Sequence, residues 1–238
     1  MQQRVEQVPT ADGSFGLTVW VPAGGSGPGL LLIQEIYGVS DYIRAVAEDL
    51  ADLGYVVAAP DLFWRLQPGY QARHDEAGLA SSLEMGQRFD FAQGVADSIA
   101  ALGALAALPE VDGGIGIIGF CLGGSIAYQV AAQTRLDAVI SFYGSDVPDQ
   151  LDVLRRITAP LLLQFGGSDP YIPREAVAAV EAAAAGLPNV RIDVEEDAGH
   201  AFHNRMAPMF SQPEPAARAW QRTVEFLRRH LPARPRVP

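Results

Sequence analysis

Five short runs of this 238-residue chain are almost wholly apolar: residues 30–33, 55–59, 115–118, 138–143 and 161–165. Runs of that length suit strands buried on both faces, as in parallel sheets covered by helices on each side. Helical patterns fall between them. Ile43, Val46, Leu50 and Leu53 share one helical face, residues 176–185 are alanine-rich and end at Gly186, and Trp220, Val224, Leu227 and Leu231 form a stripe near the C-terminus. Residues 5–8 and 17–21 predict an antiparallel hairpin at a sheet edge, with the glycine-rich stretch 24–29 a turn before the next strand. Val190, Ile192 and Val194 alternate with Arg191 and Asp193, as in a half-exposed strand. The pattern predicts a single α/β domain over residues 1–231, a mostly parallel central sheet of about seven to eight strands with helices on both faces, and a short, frayed tail at 232–238. Ligands bind such sheets beyond the carboxyl ends of the strands.

One of those ends carries the only cysteine of the chain, in Gly119-Phe120-Cys121-Leu122-Gly123-Gly124 directly after the run 115–118. A strand that ends in Gly-x-nucleophile-x-Gly and turns into a helix is the nucleophile elbow of the α/β-hydrolase fold, here with Cys in place of Ser. The glycines are needed where the bend brings backbone against backbone. The helix that follows aims the positive end of its dipole at the sulfur. Without this context a lone cysteine in an apolar chain is most often an inert buried residue.

A cysteine nucleophile needs a base, and the base an orienting group. Asp169 follows the run 161–165 in Gly166-Gly167-Ser168-Asp169-Pro170, and His200 follows the strand at 190–194 in Asp197-Ala198-Gly199-His200. Their order after the nucleophile is that of the α/β-hydrolases. Asp before Pro is also a common turn residue, and His203 is a rival base; His200 is preferred because it comes first after its strand and follows Gly199. The backbone N–H groups of Ile36, in the loop after residues 30–33, and of Leu122 are the candidate oxyanion hole. Glu35, at the end of a buried run, is costly unless paired. It is either a salt-bridged or solvated loop residue, or it exchanges a proton with Cys121 and so holds the thiol neutral at rest or deprotonates it when substrate binds. Tyr37, Phe63, Trp64, Phe120 and Tyr143 are candidates for an aromatic pocket, and core packing accounts for each equally well.

Composition removes several alternatives. The net charge is -11, so nucleic-acid binding has no electrostatic support. All 17 basic residues are arginine, which excludes a Schiff-base lysine or a Ser-Lys dyad. One cysteine and four histidines make a structural zinc site unexpected, and no metal or cofactor is predicted. Residues 1–10 are polar, no apolar run reaches the roughly 18 residues of a membrane span, and a cytoplasmic protein with no membrane or nucleic-acid partner, a monomer or small homo-oligomer, is expected.

The stretches Gln34-Glu35-Ile36-Tyr37-Gly38-Val39, Ala59-Pro60-Asp61-Leu62-Phe63, Gly119-Phe120-Cys121-Leu122-Gly123-Gly124, Phe142-Tyr143-Gly144, Gly166-Gly167-Ser168-Asp169 and Ala198-Gly199-His200-Ala201-Phe202 resemble the dienelactone hydrolase (carboxymethylenebutenolidase) family, in its order and over nearly the whole chain. The resemblance implies a Cys121–His200–Asp169 triad, a modulating Glu35, an oxyanion hole at Ile36 and Leu122, and hydrolysis of an enol lactone in the breakdown of catechols. It also implies two arginines on the substrate carboxylate. One of those positions falls here on Leu79 or Ala80, with Arg73 and Arg88 the nearest basic residues, and the other on Asn204, beside Arg205. Arg205 and Arg73, with Tyr37 and Tyr143, are therefore the expected substrate-binding residues, and a carboxylate preference depending on Arg205 is expected.

The nucleophile itself narrows the chemistry. Thiolate is a better leaving group than an ordinary alkoxide, so attack on an alkyl ester largely reverses. An enol ester or enol lactone releases a delocalised enolate that competes with thiolate. The expected substrate is a small activated ester or lactone. The alternatives are a carboxylesterase or thioesterase of other small esters, a cysteine-based redox sensor on the same fold, and a non-catalytic binding relative.

Overall fold

A computed structural model of the chain describes residues 1–233. The expected tail at 232–238 lies, from residue 234 onward, outside the described residues. The strands are β1 (Gln2–Thr10), β2 (Gly13–Val21), β3 (Gly27–Ile33), β4 (Val56–Pro60), β5 (Val111–Phe120), β6 (Ala138–Phe142), β7 (Leu161–Gly166) and β8 (Val190–Glu195). They form one sheet in the order β1-β2-β4-β3-β5-β6-β7-β8. The β1–β2 and β2–β4 pairs are antiparallel and every other pair is parallel. The hairpin thus occupies one edge, as expected, and the half-exposed β8 the other.

The helices are α1 (Asp41–Asp52), α2 (Glu76–Arg88), α3 (Phe91–Ala106), α4 (Leu122–Ala131), α5 (Arg174–Ala184) and α6 (Pro213–His230), with a 3₁₀ segment at Pro148–Arg156. Every residue of β3, β4 and β6 is buried. Because successive side chains point to opposite sides of a strand, burial of all of them requires cover on both faces. α4 packs on β5 and β6 and against α3, while α6 packs on β6, β7 and β8.

Three expectations need correction. The stretch 24–29 is only partly a turn: β3 already begins at Gly27, where a side chain would meet the Gly54 carbonyl oxygen at 2.0 Å. The α6 stripe is rotated, with Ala219, Thr223, Phe226 and Leu227 deepest and Trp220 and Val224 half-buried beside them. The pattern also left α2 and α3 unread. Each starts at an aspartate whose carboxylate accepts a first-turn N–H, Asp75 from Gly78 at 2.8 Å and Asp90 from Gln93 at 3.0 Å, which satisfies donors that a helix start leaves free.

The centre of the sheet tolerates no extra atoms. A Cβ at Gly123 would lie 2.4 Å from the Ile33 carbonyl oxygen and 2.6 Å from that of Gln34. At Gly103, in α3, it would meet nothing within 4 Å. Gly123→Ala is expected to destabilise the fold by about 3 kcal/mol. Gly103→Ala is expected to stabilise it by about 0.5–1 kcal/mol, since alanine loses less backbone freedom in a helix. Urea denaturation of the two variants checks both signs.

Candidate active site

Cys121 is the single residue between β5 and α4, and its backbone is forced into φ 53°, ψ -117°. The bend is so tight that a Cβ on Gly119 would lie 1.9 Å from the Gly123 carbonyl oxygen. The Cys121 N–H donates to the Phe142 carbonyl at 3.0 Å, which fixes the bend to the end of β6. Tyr143 (φ 38°) and Ala201 (φ 54°) are, among the described residues, the other non-glycines with positive φ. One follows β6 and the other follows His200, so all three strained residues meet at one place. Such conformations cost on the order of 1–3 kcal/mol each and persist only where packing enforces them.

His200 lies on the loop after β8, with its Nε2 3.1 Å from Cys121 Sγ. Its Nδ1 lies 2.7 Å from Asp169 Oδ2. The other oxygen of Asp169 accepts the N–H groups of Tyr171 and Ile172, at 2.8 and 3.2 Å, so the carboxylate is held from both sides. The two loops are tied together by Ser168 N–H donating to the Ala198 carbonyl at 2.9 Å, and Gly199 N–H donates to Gln212 Oε1 at 2.7 Å. Burial disfavours a charged His200. The facing sulfur and the Asp169 carboxylate outweigh it and hold the ring well above the ordinary histidine range.

His203 is placed differently. It is buried, its Nδ1 lies 2.7 Å from the Tyr42 hydroxyl, and its ring lies against Phe120 and Trp220. Burial, aided by the Arg205 charge, lowers it to about 3, so it stays neutral in the core.

Glu35 is 1 % exposed and lines the cleft beside Cys121. Its Oε2 accepts a hydrogen bond from the side-chain amide of Asn204 at 2.8 Å, and its Oε1 has no partner among the described residues. Among the described residues no arginine pairs with it. Burial therefore pushes its carboxyl up to about 7, with the His200 charge and the Asn204 bond pulling the other way. Asn204 sits at a position the sequence marked only as lacking an arginine, and its role as partner of Glu35 was not anticipated. Across the bend, the N–H groups of Ile36 and Leu122 have no acceptor among the described residues.

Above Cys121 and His200 opens a cleft of about 160 Å³. Its walls are Ile36 and Tyr37 after β3, Leu79 and Leu83 on α2, Tyr171 after Asp169, and Phe210 beyond His200. Of the expected binding residues, Tyr37 lines it, whereas Tyr143 is buried with its ring 5.2 Å from that of His200. The structure does not bring Arg205 or Arg73 to the cleft. Arg205 Nη1 pairs with Asp49 Oδ2 on α1 at 2.6 Å, and Arg73 pairs with Asp75 at 3.0 Å with its side chain 84 % exposed. Phe63, Trp64 and Phe120 also stay out of the lining. Phe63 packs edge-on against Tyr70 and Phe89, Trp64 donates to Asp97, and Phe120 stacks on Phe142. Leu79, Leu83, Tyr171 and Phe210 were not anticipated; the spacing of the two leucines by one helical turn was the available signal. Among the described residues no group of His, Cys, Asp and Glu could hold a metal ion, and no helix is long and apolar enough to cross a membrane.

The sequence model of the dienelactone hydrolase family matches residues 16–231. A carboxymethylenebutenolidase of Pseudomonas sp. (strain P51) is 36% identical over 221 residues, covering 92% of each chain. Carboxymethylenebutenolidase 1 of Cupriavidus pinatubonensis is 31% identical over 227 residues, covering 94% of this chain and 95% of its own. A crystal structure from Klebsiella pneumoniae, provisionally assigned as a dienelactone hydrolase, superposes with a TM-score of 0.82 at 28% identity over 94% of this chain and 97% of its own.

Below its ordinary value of 4.5 the Glu35 carboxyl is protonated in both folded and unfolded chains. Between about 4.5 and 7 only the unfolded chain ionises, so stability falls as pH rises, and above about 7 the loss is complete. The difference amounts to about 3 kcal/mol. Glu35→Gln removes it while keeping an acceptor for Asn204. The Tm of the variant relative to wild type is expected to rise by roughly 6–12 °C between pH 4 and pH 8 in thermal denaturation. A difference that stays constant with pH would show that Glu35 titrates as an exposed carboxylate does.

Proposed function

The chain belongs to the dienelactone hydrolase family, and on that premise we propose that this carboxylic ester hydrolase cleaves an activated ester, an enol lactone foremost, through a thioester on Cys121. In this reading His200 Nε2 already holds the proton given up by the thiol, and the thiolate Sγ attacks the carbonyl carbon. The carbonyl oxygen becomes an oxyanion that accepts the Ile36 and Leu122 N–H groups. The C–O bond then breaks, and the enolate leaves with the proton held by His200. Water attacks the thioester with His200 as base, releasing the acid and restoring the thiol. Asp169 orients the ring and steadies its positive charge. Glu35 exchanges a proton with the sulfur between turnovers.

What carries the reading is a single juxtaposition: a strained cysteine whose sulfur is 3.1 Å from an imidazole that is itself 2.7 Å from a doubly anchored aspartate, at the floor of a cleft. Sulfur as nucleophile favours substrates with delocalised leaving groups over alkyl esters. The names of the Pseudomonas and Cupriavidus relatives point the same way, toward a butenolide ring opened at its enol ester.

Two treatments test the proposal. Cys121→Ala, or full alkylation with iodoacetamide, is expected to lower kcat on p-nitrophenyl acetate by about 10⁴-fold or more, and Asp169→Asn by about 10²–10⁴-fold. Undiminished turnover after quantitative alkylation of Cys121 would refute it.

A further inference from the structure

We infer that the substrate of this cleft is an uncharged lactone or ester, one that lacks a carboxylate beside the scissile bond. The inference rests on the hydrolase reading and narrows its substrate class.

Beyond the N–H groups of Ile36 and Leu122 at the scissile carbonyl and the hydroxyls of Tyr37 and Ser145, the cleft offers an anionic group no arginine or lysine to bind. Leu79 and Leu83 stand one helical turn apart on α2 and, with Ile36 and Phe210, make its walls hydrocarbon. Leu83 and Tyr171 are 45 % and 58 % exposed, so the rim presents large apolar surface to solvent. The one lining side chain that can carry positive charge is His200, and both its nitrogens are engaged, by Asp169 and by Cys121. Glu35, also in the lining, brings a carboxyl and no positive charge.

Three side chains that the sequence brought near the site are turned to other partners. Arg205 is held by Asp49 on α1, and Arg73 by Asp75. Asn204 is fully buried, with its amide nitrogen donating to Glu35 at 2.8 Å and its amide oxygen accepting the Met206 N–H at 3.0 Å. A carboxylate entering the cleft would lose its water, gain no guanidinium, and face Glu35 and the sulfur. A neutral ring of the same shape loses nothing polar and gains contact with the leucines. The carboxylate preference expected of Arg205 is therefore replaced by its opposite, with Leu79 as the residue that sets it.

The test compares a methylenebutenolide with the carboxymethylenebutenolide, two enol lactones that differ only in the carboxylate. Each kcat/KM is divided by the hydroxide-catalysed rate of the same lactone, which removes the difference in leaving-group reactivity. Wild type is expected to favour the neutral lactone by about 30-fold or more, and Leu79→Arg to reduce that ratio by about 10-fold. Equal rates, or a preference for the carboxylate, in wild type would overturn the inference while leaving the hydrolase reading intact. A folded Leu79→Arg variant with an unchanged ratio would overturn the assignment of specificity to this wall. Turnover of neither lactone, with no acyl group on Cys121, would bring down the hydrolase reading and the inference with it.

Discussion

The site depends on how closely β5 and α4 approach at the bend between them. With no Cβ at Gly119 or Gly123, the strand end and the first helical turn come within contact of one another and of the end of β3. That approach leaves Cys121 one conformation, in a region that side-chain-bearing residues rarely occupy. The surrounding sheet over-determines it, because β3, β5 and β6 are held in register through buried hydrogen-bonded pairs. The strain is thus maintained by the core, and the sulfur is presented at the sheet's carboxyl edge without a flexible loop in between. Tyr143 and Ala201 repeat the device on the neighbouring loops, one beneath the His200 ring and one just after it.

Around this bend the polar groups divide by how fully they are paired. Asp169 is buried and accepts three hydrogen bonds, so both its oxygens are paired. Glu35 is buried with a single neutral donor, and its proton is retained to about pH 7. His203 is buried in an aromatic cage and is neutral, whereas His200 faces a sulfur and a carboxylate and is not. Two imidazoles in one small region therefore have opposite protonation tendencies, set by burial and partners alone. On the proposed mechanism these tendencies assign the roles. Asp169 supplies a fixed charge, Glu35 a mobile proton and His200 the base, while His203 takes no part.

The fold was legible because its strands are short, apolar and buried on both faces, a pattern few other architectures produce. Cys121, Asp169 and His200 were legible because each lies just past the carboxyl end of a strand, and the structure brings them into contact. The wall of the cleft was not. The buried residues of α2 are Gly78, Ser82 and Met85, too small and sparse to write an amphipathic stripe, while its leucines face the cleft. The Glu35–Asn204 pair joins residues 169 positions apart, which no local pattern can reveal. Arg205 was misplaced by a single residue. On that loop Asn204 turns inward and its neighbour turns out to Asp49, so adjacency in sequence carried the wrong side chain toward the site.

The central claim is that one sulfur, held at a strained bend against His200, takes the acyl group. Rapid acid quenching during steady-state turnover of a methylenebutenolide, followed by proteolysis and mass mapping, measures this directly. The account predicts one acyl group per chain, on the peptide that contains Cys121, and its disappearance once substrate is exhausted. Turnover at an undiminished rate with Cys121 unmodified throughout, or with the acyl group on another residue, would contradict it.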